Sequence, residues 1–264
     1  MKFENTKVFN FEGAFRGMRN PMESWDKSDT YHCAETECIS CPNYENCSVN
    51  GIDSVSIGQN DMKLAQSLIK AGSEHRKFMR QIFVSVDITA PMYWWKEFDT
   101  YKVGTVANST STMHKLASTP ITLDCFEMDD FEEVNIDCIS QYVENNYDWW
   151  NYVITACEYL RQKYNKLLED KKRLEGIKDF EEAEKAQVMA KKYWKELIRL
   201  LPESWLQKRT VTMDYENLLA VCSKGQRRNH KLTEWSKAFI DWARTLPYAQ
   251  ELIFLDELED KKNG

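Results

Sequence analysis

GSEHRKFMRQIFVSVDITAPMYWWKEFDTYKVGTVANSTSTMHKL, residues 72–116, sets a strand pattern beside a polar run. From Arg80 to Thr89 the apolar residues Ile82, Val84, Val86 and Ile88 alternate with Gln81, Phe83, Ser85 and Asp87, the two-residue period of a half-buried strand. Phe83 faces the other way, which predicts packing on both faces. Ala90-Pro91 stops the ladder, because proline has no amide hydrogen to give. An aromatic, carboxylate-bearing segment follows, with Tyr93, Trp94, Trp95, Glu97, Phe98, Asp99 and Tyr101. Gly104 to His114 is then nearly all small or hydroxylated, with Asn108, Ser109, Thr110, Ser111 and Thr112 in one row. Short hydroxyl and amide side chains offer many hydrogen bonds per unit length and let a ligand approach the backbone. A polar ligand loop and a capped turn both fit this composition.

Upstream, Asn60 or Asp61 is placed to cap a helix through about Ala71, with Met62, Leu64, Ala65, Leu68 and Ile69 on its apolar side. Gly72 ends it and leaves Glu74-His75 at the junction with the strand. Ser118 to Glu133 is acidic and turn-like, without the fixed ligand spacing of a divalent-metal loop. Asn135 to Lys208 is the helical half: Trp149, Tyr152, Val153, Ala156, Tyr159 and Leu160 recur at three and four residues and mark one amphipathic face. The charged run Glu169–Lys185 interrupts it, with Gly176 as the turn, and a second helix resumes from Ala186 to Leu201. The spacing predicts an antiparallel helical hairpin. A short strand, Arg209–Met213, and a helix from Tyr215 follow, then the dense basic cluster Lys224–Lys231 with Arg227 and Arg228. Phosphate contact and a solvated loop are the two readings of that cluster. Trp235, Phe239 and Trp242 line a closing helix that Pro247 ends.

Length, at 264 residues, suits one large domain or one domain with an appendage. A formal charge of -7 argues against extended nucleic-acid binding, which rests on counterion release by Lys and Arg, although a local basic pocket for a nucleotide is compatible with it. No apolar run approaches the length of a membrane span, and MKFENTKVFNFEGAF has no signal-peptide core, so a cytoplasmic, non-membrane protein is expected. Met1 to Asp29 shows no steady periodicity and reads as an arm. Beyond it Cys33, Cys38, Cys41 and Cys47 fall within fifteen residues. The Cys-x-x-Cys pair has the bite of a tetrahedral thiolate site, and zinc or an iron-sulfur cluster are its candidates. Free thiols in a surface loop are the alternative.

The order Ser73-Glu74-His75, strand, aromatic stretch, then Asn108-x-x-Ser111 resembles the core of the flavin-dependent thymidylate synthases. Leu201-Pro202, a gap, then Thr210 and Thr212 to Leu218 is similar to that family's Leu-Pro, Thr-rich strand and Asn-x-Arg-x-Leu helix start. Glu234, in HKLTEW, falls where the family has its Ala-Gln-x-Glu-Ile helix. The matches keep the family's order and run roughly from Asp61 to Ile253. The departures are specific. Tyr101, Lys102 and Val103 stand where the family has Arg-His-Arg, Met113 where it has a later arginine, and Asp214 and Glu216 where it has the asparagine and arginine of the helix start. Those arginines hold phosphates and pyrimidine oxygens in the family, and no other side chain reproduces a guanidinium fork. Lys102, Lys115, Arg76, Arg80, Arg227 and Arg228 are the cations available to restore the charge from shifted positions.

The resemblance implies an α+β fold, a flavin-dependent thymidylate synthase-like sheet with packed helices and a long helical hairpin. It divides the chain into an N-terminal arm with the Cys cluster (1–59), the α+β domain (60–255) and a charged tail (256–264). It also implies a flavin-dependent methyltransferase acting on a pyrimidine nucleotide with FAD, in which His75 and Asn108 contact the flavin, Ser111 the nucleotide and Arg227 or Arg228 a phosphate. The family builds its sites between subunits, so a homo-oligomer, a tetramer, is expected. Loss of the signature arginines favours the alternative, a non-enzymatic oligomeric scaffold or ligand-binding protein on the same fold with a Cys-bound metal.

Overall fold

A computed structural model describes residues 1–32, 55–111, 115–128, 146–225 and 228–258. Its elements are β1 (Lys2–Phe9), α1 (Phe11–Met18), β2 (Tyr31–His32), β3 (Val55–Ser56), α2 (Gln59–Lys70), β4 (Phe83–Pro91), α3 (Met92–Phe98), β5 (Val106–Ser109), α4 (Asn146–Gly176), α5 (Phe180–Leu200), β6 (Leu206–Asp214), α6 (Tyr215–Val221), α7 (Ile240–Arg244) and α8 (Ala249–Leu252). The sheet has the order β1-β4-β6-β5, and β2 pairs with β3 in a separate short ladder. The class is α+β. Two compact units divide the chain: Met1–Thr89 with Trp94–Asn108 and Lys208–Gly264, and Ala90–Tyr93 with Ser109–Gln207. No described helix is long and apolar enough to cross a membrane.

β4 follows from its alternation: Val84, Val86, Ile88 and Ala90 are buried while the residues between them are half-covered. Fully burying each of the larger three contributes about 1.5–3 kcal/mol. The opposite face packs less than its aromatic residue suggested, since Phe83 keeps 43% exposure. A 3-10 turn over Lys77–Gln81 takes the residues expected to start the strand.

Residues 2–9, read as part of an arm, form an antiparallel edge strand on β4, with Phe3 opposite Ile88 and Phe9 opposite Phe83. Periodicity was silent there for a physical reason. A bulge between Glu4 and Lys7, with Asn5 at φ 54°, breaks the alternation, and only Val8 is buried. Backbone pairing to β4, the stacking of Phe3 on Trp242 and the hydrogen bond from Trp242 Nε1 to Thr6 Oγ1 fix this strand without an alternating apolar face.

The cap of α2 also differs from expectation. The helix begins at Gln59, and the Asp29 carboxylate accepts the backbone N–H groups of Asn60 (2.9 Å) and Asp61 (3.0 Å). Asp29 packs so tightly that a Cβ on Gly58 would lie 2.1 Å from its Cγ. Asp61 is instead fully buried. It accepts from Arg19 Nε (2.5 Å), Ser28 Oγ (2.7 Å), Thr30 Oγ (2.6 Å) and Thr30 N (3.1 Å).

In the second unit α4 and α5 form the expected hairpin, and the break falls inside the charged run as expected, at residues 177–179, with the rest of that run helical. Pairs such as Lys171–Glu175 and Lys185–Glu181 lie one helical turn apart and support it. The left-handed residue at the turn is Lys178 (φ 62°), not Gly176, and the Asp179 carboxylate caps α5 by accepting the Glu182 N–H. Leu116, Ile121, Phe126, Ile154, Cys157 and Leu197 make the core of this unit.

Candidate functional site

The junction of β6 and α6 is where the resemblance places a helix-start asparagine and arginine. Asp214 ends β6 and caps α6, accepting the Asn217 N–H at 2.8 Å. Asn217 in turn donates from Nδ2 to the Val103 carbonyl at 3.0 Å. The segment Tyr101-Lys102-Val103, standing where the family has Arg-His-Arg, is therefore tied to the start of α6. Gly104 makes this closeness feasible: its φ is +76°, and a Cβ there would lie 2.4 Å from Asp214 Oδ2. Burial, with the neighbouring Glu216 charge adding to it, raises the Asp214 carboxyl above its ordinary value against hydrogen bonds from the backbone of α6. Asn217 Oδ1 and Thr105 Oγ are buried without a hydrogen-bond partner among the described residues.

Glu216 points the other way along the first turn of α6. Its Oε1 accepts Arg76 Nε at 3.1 Å and its Oε2 accepts Arg80 Nε. Burial works to raise the Glu216 carboxyl, but the hydrogen bonds and charges of Arg80 and Arg76 outweigh it and hold the group below its ordinary value. Where the family has one arginine, this chain has a carboxylate gripping two. Neither the pair nor its partner was legible in sequence, because Arg76 and Arg80 lie 140 and 136 residues from Glu216.

Arg76 lines a cleft of about 370 Å³. Leu219, Ile253 and Leu255 are among its apolar walls, and Lys70, Lys224 and Arg228 bring further positive charge against one lining carboxylate, Asp256. Arg228 is fully committed: Nε donates to the Cys222 carbonyl (2.8 Å), Nη1 to Glu257 (2.9 Å) and Nη2 to Asp256 (2.7 Å), with the guanidinium 5.0 Å from the Phe254 ring centre. It pins the C-terminal segment to the end of α6.

The other expected site residues are distributed as follows. His75 is exposed in the turn after α2, its N–H donating to the Gly72 carbonyl (3.0 Å), and it immediately precedes Arg76. Asn108 is exposed on β5, at the sheet edge. Ser111 is half-buried and its carbonyl accepts the Lys115 N–H (2.9 Å). Glu234 is buried in a π-helical turn, Glu234–Phe239. The structure thus brings Arg76, next to His75, and Arg228 to one cleft, and carries Asn108 and Ser111 on other segments. Arg227, Met113 and the four cysteines Cys33, Cys38, Cys41 and Cys47 lie outside the described residues, among which no cluster of three or more His, Cys, Asp or Glu is arranged to hold a metal.

No family model and no curated protein sequence matches the chain. Solved structures do. The flavin-dependent thymidylate synthase of Helicobacter pylori, complexed with FAD and dUMP, superposes in two crystal structures with TM-scores of 0.53 and 15% identity, over 97% of this chain and 99% and 98% of theirs. A UMP/dUMP methylase from Streptomyces cacaoi bound with 5-Br dUMP superposes less well, with a TM-score of 0.47 at 12% identity over 96% of this chain and 95% of its own. Over nearly its whole length, the chain has the fold of flavin-dependent thymidylate synthase.

Proposed function

We propose that the protein binds a pyrimidine nucleotide and FAD and acts as a flavin-dependent methyltransferase on that nucleotide. The observation that carries this reading is the cationic, apolar-walled cleft beside the His75 turn, on a fold whose solved examples hold FAD and dUMP. The residues present fit the phosphate-bearing parts of such ligands, because Lys70, Arg76 and Lys224 bring positive charge beside apolar walls. Bound flavin would supply hydride transfer, and the protein's task is to position and polarise. In this reading His75 and Asn108 contact the flavin and Ser111 the nucleotide. Arg227 takes a phosphate, as does Arg228 only on giving up its present carboxylate partners. The sites are completed between subunits of a tetramer. Cys33, Cys38, Cys41 and Cys47 hold zinc or an iron-sulfur cluster in a structural role.

One specific observation favours a second reading, a non-enzymatic ligand-binding protein or scaffold on the same fold. Glu216 puts negative charge where the family has an arginine, and Arg228 is engaged by carboxylates. An absorption spectrum with metal analysis on freshly purified, anaerobically handled protein separates the two. The two flavin bands, lost in His75→Ala and Asn108→Ala variants, support the enzyme. A spectrum without them, together with no shift in melting temperature on adding FAD and dUMP, would sink it in favour of the scaffold.

A further inference from the structure

We infer that Arg76 is the phosphate-holding residue of the cleft and that Glu216 is its positioning residue. The inference deepens the nucleotide reading above and rests on it for the ligand's body, though not for its anionic end. The two guanidinium groups that line the cleft are used differently. Arg228 spends all three nitrogens on protein acceptors. Among the described residues Arg76 spends one: Nε donates to Glu216 Oε1, leaving both terminal amino groups for a ligand in the cleft that Arg76 lines. Arg80 is held in the same manner by Glu216 Oε2, and its side chain is half exposed.

A carboxylate that grips two guanidinium groups by their Nε edges does two things. It fixes their planes, so that little rotamer freedom is lost when a ligand arrives, and it leaves the trio with a net positive charge. The terminal nitrogens then form a fork of the geometry that phosphate oxygens accept. The side chains of Arg76 and Glu216 are 26% and 13% exposed, enough cover to fix the pair and enough opening to receive an anion. This chain therefore supplies from the turn after α2 the cation that its α6 lacks. The ligand class is a phosphate or pyrophosphate ester whose body lies along Leu219, Ile253 and Leu255.

The test is calorimetric titration of the full chain with dUMP, 2′-deoxyuridine, FAD and inorganic pyrophosphate. Wild type is expected to bind dUMP at least tenfold more tightly than deoxyuridine. Arg76→Gln is expected to lose that margin with deoxyuridine affinity unchanged, whereas a folding defect would weaken both ligands alike. Arg76→Lys keeps the charge without the fork and is expected to recover only part of the margin. Glu216→Gln, which keeps the shape, is expected to cut it about threefold, because the arginine stays but is no longer held; an intact margin in that variant overturns the positioning role. Pyrophosphate bound by wild type and at least tenfold more weakly by Arg76→Gln, with dUMP and FAD no tighter than pyrophosphate, upholds the inference while removing the nucleotide reading. Equal dUMP affinity in wild type and Arg76→Gln overturns the inference and leaves the nucleotide reading standing. Failure of wild type to bind any of the four overturns both.

Discussion

Replacing Asp61 by asparagine tests a fully buried, multiply hydrogen-bonded carboxylate in the first unit. Asp61 is fully buried and accepts four hydrogen bonds, from Arg19, Ser28 and both the hydroxyl and N–H of Thr30. The amide removes the charge that compensates Arg19, itself only 4% exposed. Breaking a buried pair in this way costs about 3–5 kcal/mol, because the remaining ion stays desolvated. At about 2–4 °C per kcal/mol for a domain of this size, the melting temperature should fall by roughly 6–20 °C. Urea denaturation at pH 7 gives the free energy directly, and the double variant Arg19→Met/Asp61→Leu should cost less than the sum of its single changes. The pH dependence has a definite sign. Burial works to raise the Asp61 carboxyl, but Ser28, Thr30 and Arg19 outweigh it and hold it below its ordinary value of 3.8. Its contribution is therefore complete above pH 3.8 and is lost as pH falls through the lower folded value. Wild type and Asp61→Asn should differ by a constant amount near neutrality and converge in acid. A loss below about 1 kcal/mol at pH 7 would show that the Arg19–Asp61 pair contributes little to the fold. Through Thr30, Asp61 also holds the approach to the ladder in which Tyr31 faces Ser56 and His32 faces Val55.

Four further outcomes are expected. In the second unit Glu158 is held down at about 2, first by Arg161, against burial, with the Ile121 N–H and Gln162 assisting. Glu158→Gln should cost about 1.5–3 kcal/mol at pH 7, and the cost should disappear between pH 4.5 and 2, as equilibrium unfolding at several pH values would reveal. Gly104→Ala forces a side chain into a left-handed conformation against Asp214 and should destabilise by about 1–3 kcal/mol; thermal melts at or above the wild-type midpoint would contradict this. Burial pushes the Cys157 and Cys222 thiols up to about 11 and about 12, so alkylation of native protein at pH 8, mapped by mass spectrometry, should spare both and label the less buried Cys125 first. If the thiols of residues 33–47 hold a metal, chelation should expose Cys33, Cys38, Cys41 and Cys47 to the same reagent; labelling of all four before chelation would argue against the metal.

The strand at the centre of the sheet was legible because burial on one face leaves a two-residue period, and Val84, Val86 and Ile88 print it directly. The hairpin was legible for the corresponding reason at three and four residues, and its turn does fall in the charged run; the turn is shorter than the run because Glu and Lys one turn apart favour helix on either side of it. The edge strand was not legible, since its bulge breaks the two-residue period and its side-chain partners, Phe239 and Trp242, lie more than two hundred residues away. Order and spacing of His75, Asn108, Ser111 and the Leu201-Pro202 segment pointed to the fold that the solved structures share.

By itself, the sequence determined which segments have a face to bury, the family whose order of elements they follow, and which arginines are missing. Where the remaining cations go depends on packing between segments far apart in the chain. Periodicity reports a residue's relation to neighbours within one helix or strand. A salt bridge between Glu216 and the two arginines more than a hundred residues away leaves no local trace. Arg228 and Arg76 read alike as basic residues near a loop, and only their partners distinguish them: one guanidinium is spent pinning the C-terminal segment, while the other is gripped by its Nε edge beside the cleft.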